Sequence, residues 1–96
     1  MKIYVDIDGT ICNNTNGDYE NAKPNHKAIA KINKLHNEGN MIIYWTARGR
    51  NSGIDWSDLT LRQLKDWKCE YYAIDFNPKP SWDLLIDDKT KRIEEI

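Results

Sequence analysis

Lys2-Ile3-Tyr4-Val5-Asp6-Ile7-Asp8-Gly9-Thr10-Ile11 is the stretch on which the fold turns. A short apolar run reads as a buried strand, and two carboxylates break it just before a glycine. Along an extended chain Asp6 and Asp8 share one side, and Ile7 faces the packed side. Gly9 lets the backbone turn sharply and come close to a ligand. A second apolar run, Leu84-Leu85-Ile86, closes in the same way on Asp87 and Asp88. In open parallel sheets, ligand crevices lie outside the carboxyl ends of the strands, so the two acidic pairs face one another if the runs are neighbours. At an effective dielectric near 20, two carboxylates about 4 Å apart repel by roughly 4 kcal/mol. Such a domain has about 5 to 15 kcal/mol of stability in all. The cluster therefore calls for protons or a hard cation, and oxygen donors favour Mg²⁺. A strand ending in a simple Asx turn requires neither the second Asp nor the distal pair.

Outward from this stretch, strand and helix patterns alternate. Residues 2–7 are the first strand. The polar stretch 12–22 contains Asn16-Gly17, a strong hairpin signal, and reads as a small β flap over the strand ends. A first helix is expected over 24–38, with Pro24 in its first turn, Ala28, Ile29, Ile32 and Leu35 as its apolar stripe and Gly39 as its stop. Residues 41–45 are a buried strand. A second helix runs from Asp55 or Ser57 to Lys68 with Leu61, Leu64 and Trp67 facing inward. Residues 71–75 and 83–86 complete about four strands, and a charged tail follows Thr90. The pattern predicts an α/β fold, a small Rossmann-like parallel sheet flanked by helices with right-handed crossovers.

Ninety-six residues support one modest core, so 1–96 reads as a single domain. The first apolar run is too short for a signal peptide, and Asp6 breaks it. Cys12 and Cys69 lack metal-ligand spacing, which points to reduced thiols and a cytoplasmic address. No His or helix start stands beside Cys12 to make it a nucleophile. A formal charge of −1 argues against a nucleic-acid or membrane-surface role. Lys23, Lys27, Lys31 and Lys34 read as a solvated stripe on the first helix. His26 and His36 read as structural.

Asp6-Ile7-Asp8-Gly9-Thr10-Ile11 resembles the opening motif of the haloacid dehalogenase superfamily of aspartate-nucleophile phosphatases. Chemically, an Asp carboxylate can attack a phosphoryl group, and a neighbouring carboxyl can pass protons to the leaving group and from water. The resemblance extends to Thr46 in Tyr44-Trp45-Thr46-Ala47-Arg48-Gly49, where the family uses a hydroxyl and the next backbone amide to hold phosphate. It extends to Lys79 in Asn77-Pro78-Lys79-Pro80 as the neutralising lysine, with Lys89 as the competitor. It also extends to the adjacent pair Asp87-Asp88. It implies that Asp6, Asp87 and the Asp8 carbonyl hold Mg²⁺, with Asp88 and Lys89 in supporting places. Gly9, Thr46, Ala47, Arg48 and Lys79 are the implied phosphate and substrate contacts.

Ser52-Gly53-Ile54-Asp55-Trp56, Leu59-Thr60 and Gln63-Leu64-Lys65-Asp66-Trp67 make the resemblance closer, to the small capless phosphatases of bacterial capsule and lipopolysaccharide biosynthesis. That resemblance implies a small phosphorylated sugar or polyol as substrate. With no cap domain, the segments 12–22 and 48–56, or a second copy of the chain in a homo-oligomer, must exclude water and select the leaving group. Arg48 and Arg50 either fork onto a second anionic group or remain in solvent. Asp55 is a site residue or a helix cap, and Trp56 a site residue or a core anchor. The alternatives to a sugar or polyol phosphatase are a nucleic-acid end phosphatase or nucleotidase, and a non-catalytic regulator that binds Mg²⁺ and a phosphorylated ligand.

Overall fold

The computed structural model describes residues 1–50, 52–76 and 84–86, with the side chains of Leu84 and Leu85 outside that description. Lys79, Asp87, Asp88 and Lys89 therefore lie outside the described residues, as does the charged tail. The elements follow in the order β1 (Lys2–Asp6), α1 (His26–Asn37), β2 (Met41–Trp45), α2 (Ser57–Asp66), β3 (Ala73–Asp75) and β4 (Leu84–Ile86). The strands form one parallel sheet in the order β3-β2-β1-β4. The fold is thus α/β with a parallel sheet and flanking helices.

Ile3, Val5, Ile7, Ile42, Tyr44 and Ile86 share one packed face with Ala28, Ile29 and Ile32 of α1 and Leu64 of α2. Both helices lie on that face because the chain steps from β1 to β2 to β3 in one direction, and right-handed crossovers then return on the same side. Tyr4 and Ile43 form a smaller cluster on the opposite face with Trp45 and Ala73. The step from β3 to β4 jumps back past β1 and β2. That reversal makes the carboxyl end of β1 the topological switch point.

The first helix begins two residues later than the sequence suggests. Asn25, not Pro24, organises its start: the Asn25 side chain accepts a hydrogen bond from the Ala28 amide at 3.1 Å. Gly39 ends it with a φ of 97°, and its amide donates to the His36 carbonyl. The segment 12–22 is not a β flap. Asn16 and Gly17 do take positive φ, 56° and 101°, in a turn closed by the Asp18 amide donating to the Thr15 carbonyl. The flanking residues instead spend their polar groups locally. Asn13 caps the Lys23 amide at 2.7 Å, Asn21 donates to Asp18 at 2.8 Å, and Tyr19–Asn21 winds into one 3₁₀ turn. The segment is a loop tied at its base by Cys12 pairing with Pro24.

In α2 the buried face is Thr60, Gln63 and Leu64, followed by Trp67, and Leu61 is 41 % exposed. The helix is rotated so that two polar side chains point inward. Arg48 is the reason.

Candidate active site

The strand register sets the site. Asp6 of β1 stands opposite Trp45 of β2, and Trp45 stands opposite Asp75 of β3, so these strands end in line. Val5 pairs with Ile86, which puts the end of β4 on the other side of β1. Asp6 and Thr46 therefore close neighbouring strands at one sheet edge. Beyond Asp6 the chain turns tightly: the Ile11 amide donates to the Ile7 carbonyl at 3.1 Å, and the Gly9 amide to the Cys12 carbonyl at 2.9 Å. Gly9 meets this turn with a φ of 86°, the left-handed conformation for which its lack of a Cβ suits it.

Thr46 is buried, and its Oγ1 accepts from the Arg48 amide at 3.1 Å, so the hydroxyl keeps its own proton as a donor. Ala47, next to it, is exposed. The Asp75 carbonyl accepts from the Thr46 amide at 3.2 Å, which ties the β2 end to β3.

Arg48 departs from the sequence expectation. Its guanidinium neither forks outward nor lies in solvent; it is 0 % exposed and grips Asp8. Nε donates to Asp8 Oδ2 at 3.0 Å and Nη2 to Asp8 Oδ1 at 2.8 Å, a bidentate pair. Nη1 donates to Thr60 Oγ1 at 3.1 Å and to Gln63 Oε1 at 2.6 Å. The planar group lies 4.8 Å from the Tyr19 ring centroid. Burying Thr60 and Gln63 satisfies this cation, and that requirement turns α2 and pushes Leu61 outward. Asp8 thus has its charge balanced inside the protein, which relieves the carboxylate crowding inferred from sequence. Removing one partner of a buried pair of this kind costs about 3–5 kcal/mol.

Cys12 completes the surroundings of Asp8. Its thiol lies 3.5 Å from Asp8 Oδ1. Burial first, and the Asp8 charge second, push the thiol up to about 12, so Cys12 is held as a neutral SH and is no nucleophile. Cys69 is likewise pushed up to about 11 by burial.

Two adjoining clefts open beside the β2 end. One, of about 200 Å³, is bounded by Tyr19, Ala47, Gly49, Ser52, Ile54 and Trp56, and no described lining residue is charged. The other, of about 380 Å³, adds Arg48, Arg50, Asp55 and Phe76. Tyr19 and Trp56 meet edge to face at 5.2 Å, so Trp56 joins the loop 12–22 to the loop 47–56. Arg50 lies 5.6 Å from the Trp45 ring centroid. Asp55 is not the helix cap, a place Trp56 takes; it forms an Asx turn just before α2, accepting from the Ser57 hydroxyl at 2.5 Å and the Ser57 amide at 2.9 Å, and these bonds hold its carboxyl below the usual range.

Among the described residues no three His, Cys, Asp or Glu side chains converge as a metal group. The described oxygen donors at the strand end are the Asp6 carboxylate and the Asp8 backbone carbonyl, hard ligands of the type Mg²⁺ takes. The Asp8 carboxylate is engaged with Arg48 instead. No helix of the described residues is long and apolar enough to cross a membrane.

No protein-family model matches the chain. No curated protein matches it either. Among solved structures, the chain is similar to a crystal structure of a Vibrio cholerae protein, with a TM-score of 0.77 and 27% identity over 98% of this chain and 85% of that one. It is also similar to a conserved protein of Bacteroides thetaiotaomicron, with a TM-score of 0.71 and 26% identity over 94% of this chain and 77% of that one. The same arrangement of strands and helices is thus carried by proteins of Vibrio and Bacteroides.

Proposed function

We propose that the protein is a capless phosphomonoesterase of the haloacid dehalogenase type that works through an aspartyl-phosphate on Asp6. The observation that carries this reading is the register: Asp6 and Thr46 end adjacent parallel strands at the switch point, with Asp8 fixed just beyond. In this reading the Asp6 carboxylate attacks phosphorus and forms the acyl phosphate as the alcohol departs. Asp8, entering the cycle with a proton on the oxygen that faces the ester, gives that proton to the leaving oxygen and then regains one from the water that cleaves the acyl phosphate. The Thr46 hydroxyl, the Ala47 amide and Lys79 hold the phosphoryl oxygens, Gly9 leaving room for the group to approach. Asp6, the Asp8 carbonyl and Asp87 would hold Mg²⁺, which supplies a Lewis acid that offsets the repulsion between carboxylate and phosphate. By the same resemblance Asp88 and Lys89 support that cluster.

The cleft lined by Tyr19, Ser52, Ile54 and Trp56 supports a neutral, hydroxylated leaving group such as a sugar or polyol. Apolar and aromatic walls with a few hydroxyl and backbone partners suit such a ligand. A net charge of −1 favours a small metabolite over a nucleic-acid end. The test is phosphate release from sugar, polyol and nucleotide monophosphates, with Mg²⁺ or chelator. The expected result is Mg²⁺-dependent release, greatest from a sugar or polyol ester and abolished in Asp6→Asn. Tight ester binding with no release by the wild type would contradict it and favour a binding role.

A further inference from the structure

We infer that Arg48 is a positioning residue for Asp8, fixing one carboxylate oxygen of the acid/base toward the leaving group, rather than a substrate-binding arginine. This deepens the phosphatase reading and rests on it. The geometry makes an outward role costly. Of the five guanidinium donors, two go to Asp8, two go to Thr60 and Gln63, and the remaining Nη2 proton faces Cys12 Sγ at 3.9 Å. Reaching a ligand would require the buried Arg48 guanidinium to abandon its part-buried carboxylate partner.

What the arrangement does accomplish is orientation. Asp8 stands on a loop just beyond β1, where a free side chain would sample several rotamers. A planar fork on both oxygens removes that freedom, and a general acid works only when held within reach of its proton acceptor. The fork takes one lone pair from each oxygen. Among the described residues Oδ1 also lies 3.5 Å from the Cys12 thiol, whose single proton is shared with the Ile7 carbonyl at 3.6 Å, whereas Oδ2 has no contact beyond the fork. Oδ2 is therefore the oxygen that carries the transferred proton. Arg48 is itself held by α2, through Thr60 and Gln63, and by the loop 12–22. The Tyr19 ring covers the guanidinium, and the Tyr19 carbonyl accepts from Gln63 Nε2 at 2.7 Å. A rigid helix thus sets the position of a loop carboxylate.

The experiment compares two esters that differ in their need for a proton. A glycerol alkoxide leaves poorly unless protonated, whereas 4-nitrophenolate leaves unaided. Alcohol release from glycerol 2-phosphate and from 4-nitrophenyl phosphate is measured in single turnover with Mg²⁺, for the wild type, Arg48→Lys and Thr60→Val. Lysine keeps the charge but cannot form the fork. Valine keeps the shape of Thr60 and removes one acceptor that holds Arg48. The expected result is that Arg48→Lys slows glycerol release at least about tenfold more than nitrophenolate release, the size of a modest general-acid contribution. Thr60→Val shows the same bias to a smaller extent, and it decides the matter if Arg48→Lys does not fold. Equal slowing of both esters, or a rise in KM alone, would overturn the positioning role. Release of neither product by the wild type would overturn the phosphatase reading and this inference together, before any variant is compared.

Discussion

Gly49 sits where the loop 47–56 turns back on itself, with a φ of 83° and its carbonyl accepting from the Gly53 amide at 2.8 Å. A Cβ there would collide with the Ile54 carbonyl. Gly49→Ala must therefore move the wall shared by both clefts. It is expected to lose about 1–3 kcal/mol in urea unfolding and to raise KM for the preferred ester. Cys12 yields a second residue-level expectation. Its folded pKa lies above the ordinary thiol value of 9, so the unfolded state releases that proton first. The stabilisation from the neutral thiol is complete below about pH 9 and is lost as pH rises from there toward 12. At pH 8.5 iodoacetamide should leave Cys12 unmodified in the native protein and alkylate it within minutes in urea, as peptide mass spectrometry would show; rapid native labelling would contradict its burial. At this scale the placement of Asp6 and Asp8 at the end of β1, of Gly9 in the turn beyond and of Thr46 after β2 was legible from sequence, because each is a local signal. The partner of Arg48 was not, since Asp8 lies forty positions away and only the fold brings them together.

At the scale of elements, the two helices show what local pattern can and cannot decide. The apolar stripe of α1 was readable because Ala28, Ile29 and Ile32 pack against a uniformly apolar sheet face. The face of α2 was not, because a buried guanidinium selected Thr60 and Gln63 over Leu61. The loop 12–22 fell short of a hairpin because its Asn and Asp side chains compete for the backbone. The end of α2 offers a test of the geometry there. Lys68 takes a φ of 60°, the left-handed conformation that suits glycine, while its carbonyl accepts from Asn33 of α1 at 2.9 Å. Lys68→Gly keeps that carbonyl and relieves the backbone, so thermal unfolding should show a gain of up to about 1 kcal/mol. Asn25→Ala removes the α1 cap and should lose about 1 kcal/mol by the same measurement.

Across the whole molecule, topology makes the site. A parallel sheet ordered β3-β2-β1-β4 places its switch point at the end of β1, where the chain carries its two leading carboxylates. Alternating strands and helices made that class of fold legible, but the strand order was not, because the jump from β3 back past β1 to β4 carries no local signal. The main core packs on one face of the sheet, leaving the strand ends and their loops outside it. The central claim, that Asp6 takes the phosphoryl group, is tested most directly by trapping. The protein, incubated with Mg²⁺ and the ester from which it releases most phosphate, is quenched with borohydride, which reduces an acyl phosphate to an alcohol, and is then mapped by peptide mass spectrometry. Homoserine at position 6, absent without ester, is the predicted result. Turnover that leaves Asp6 unmodified, or reduction at another carboxylate, would contradict the account.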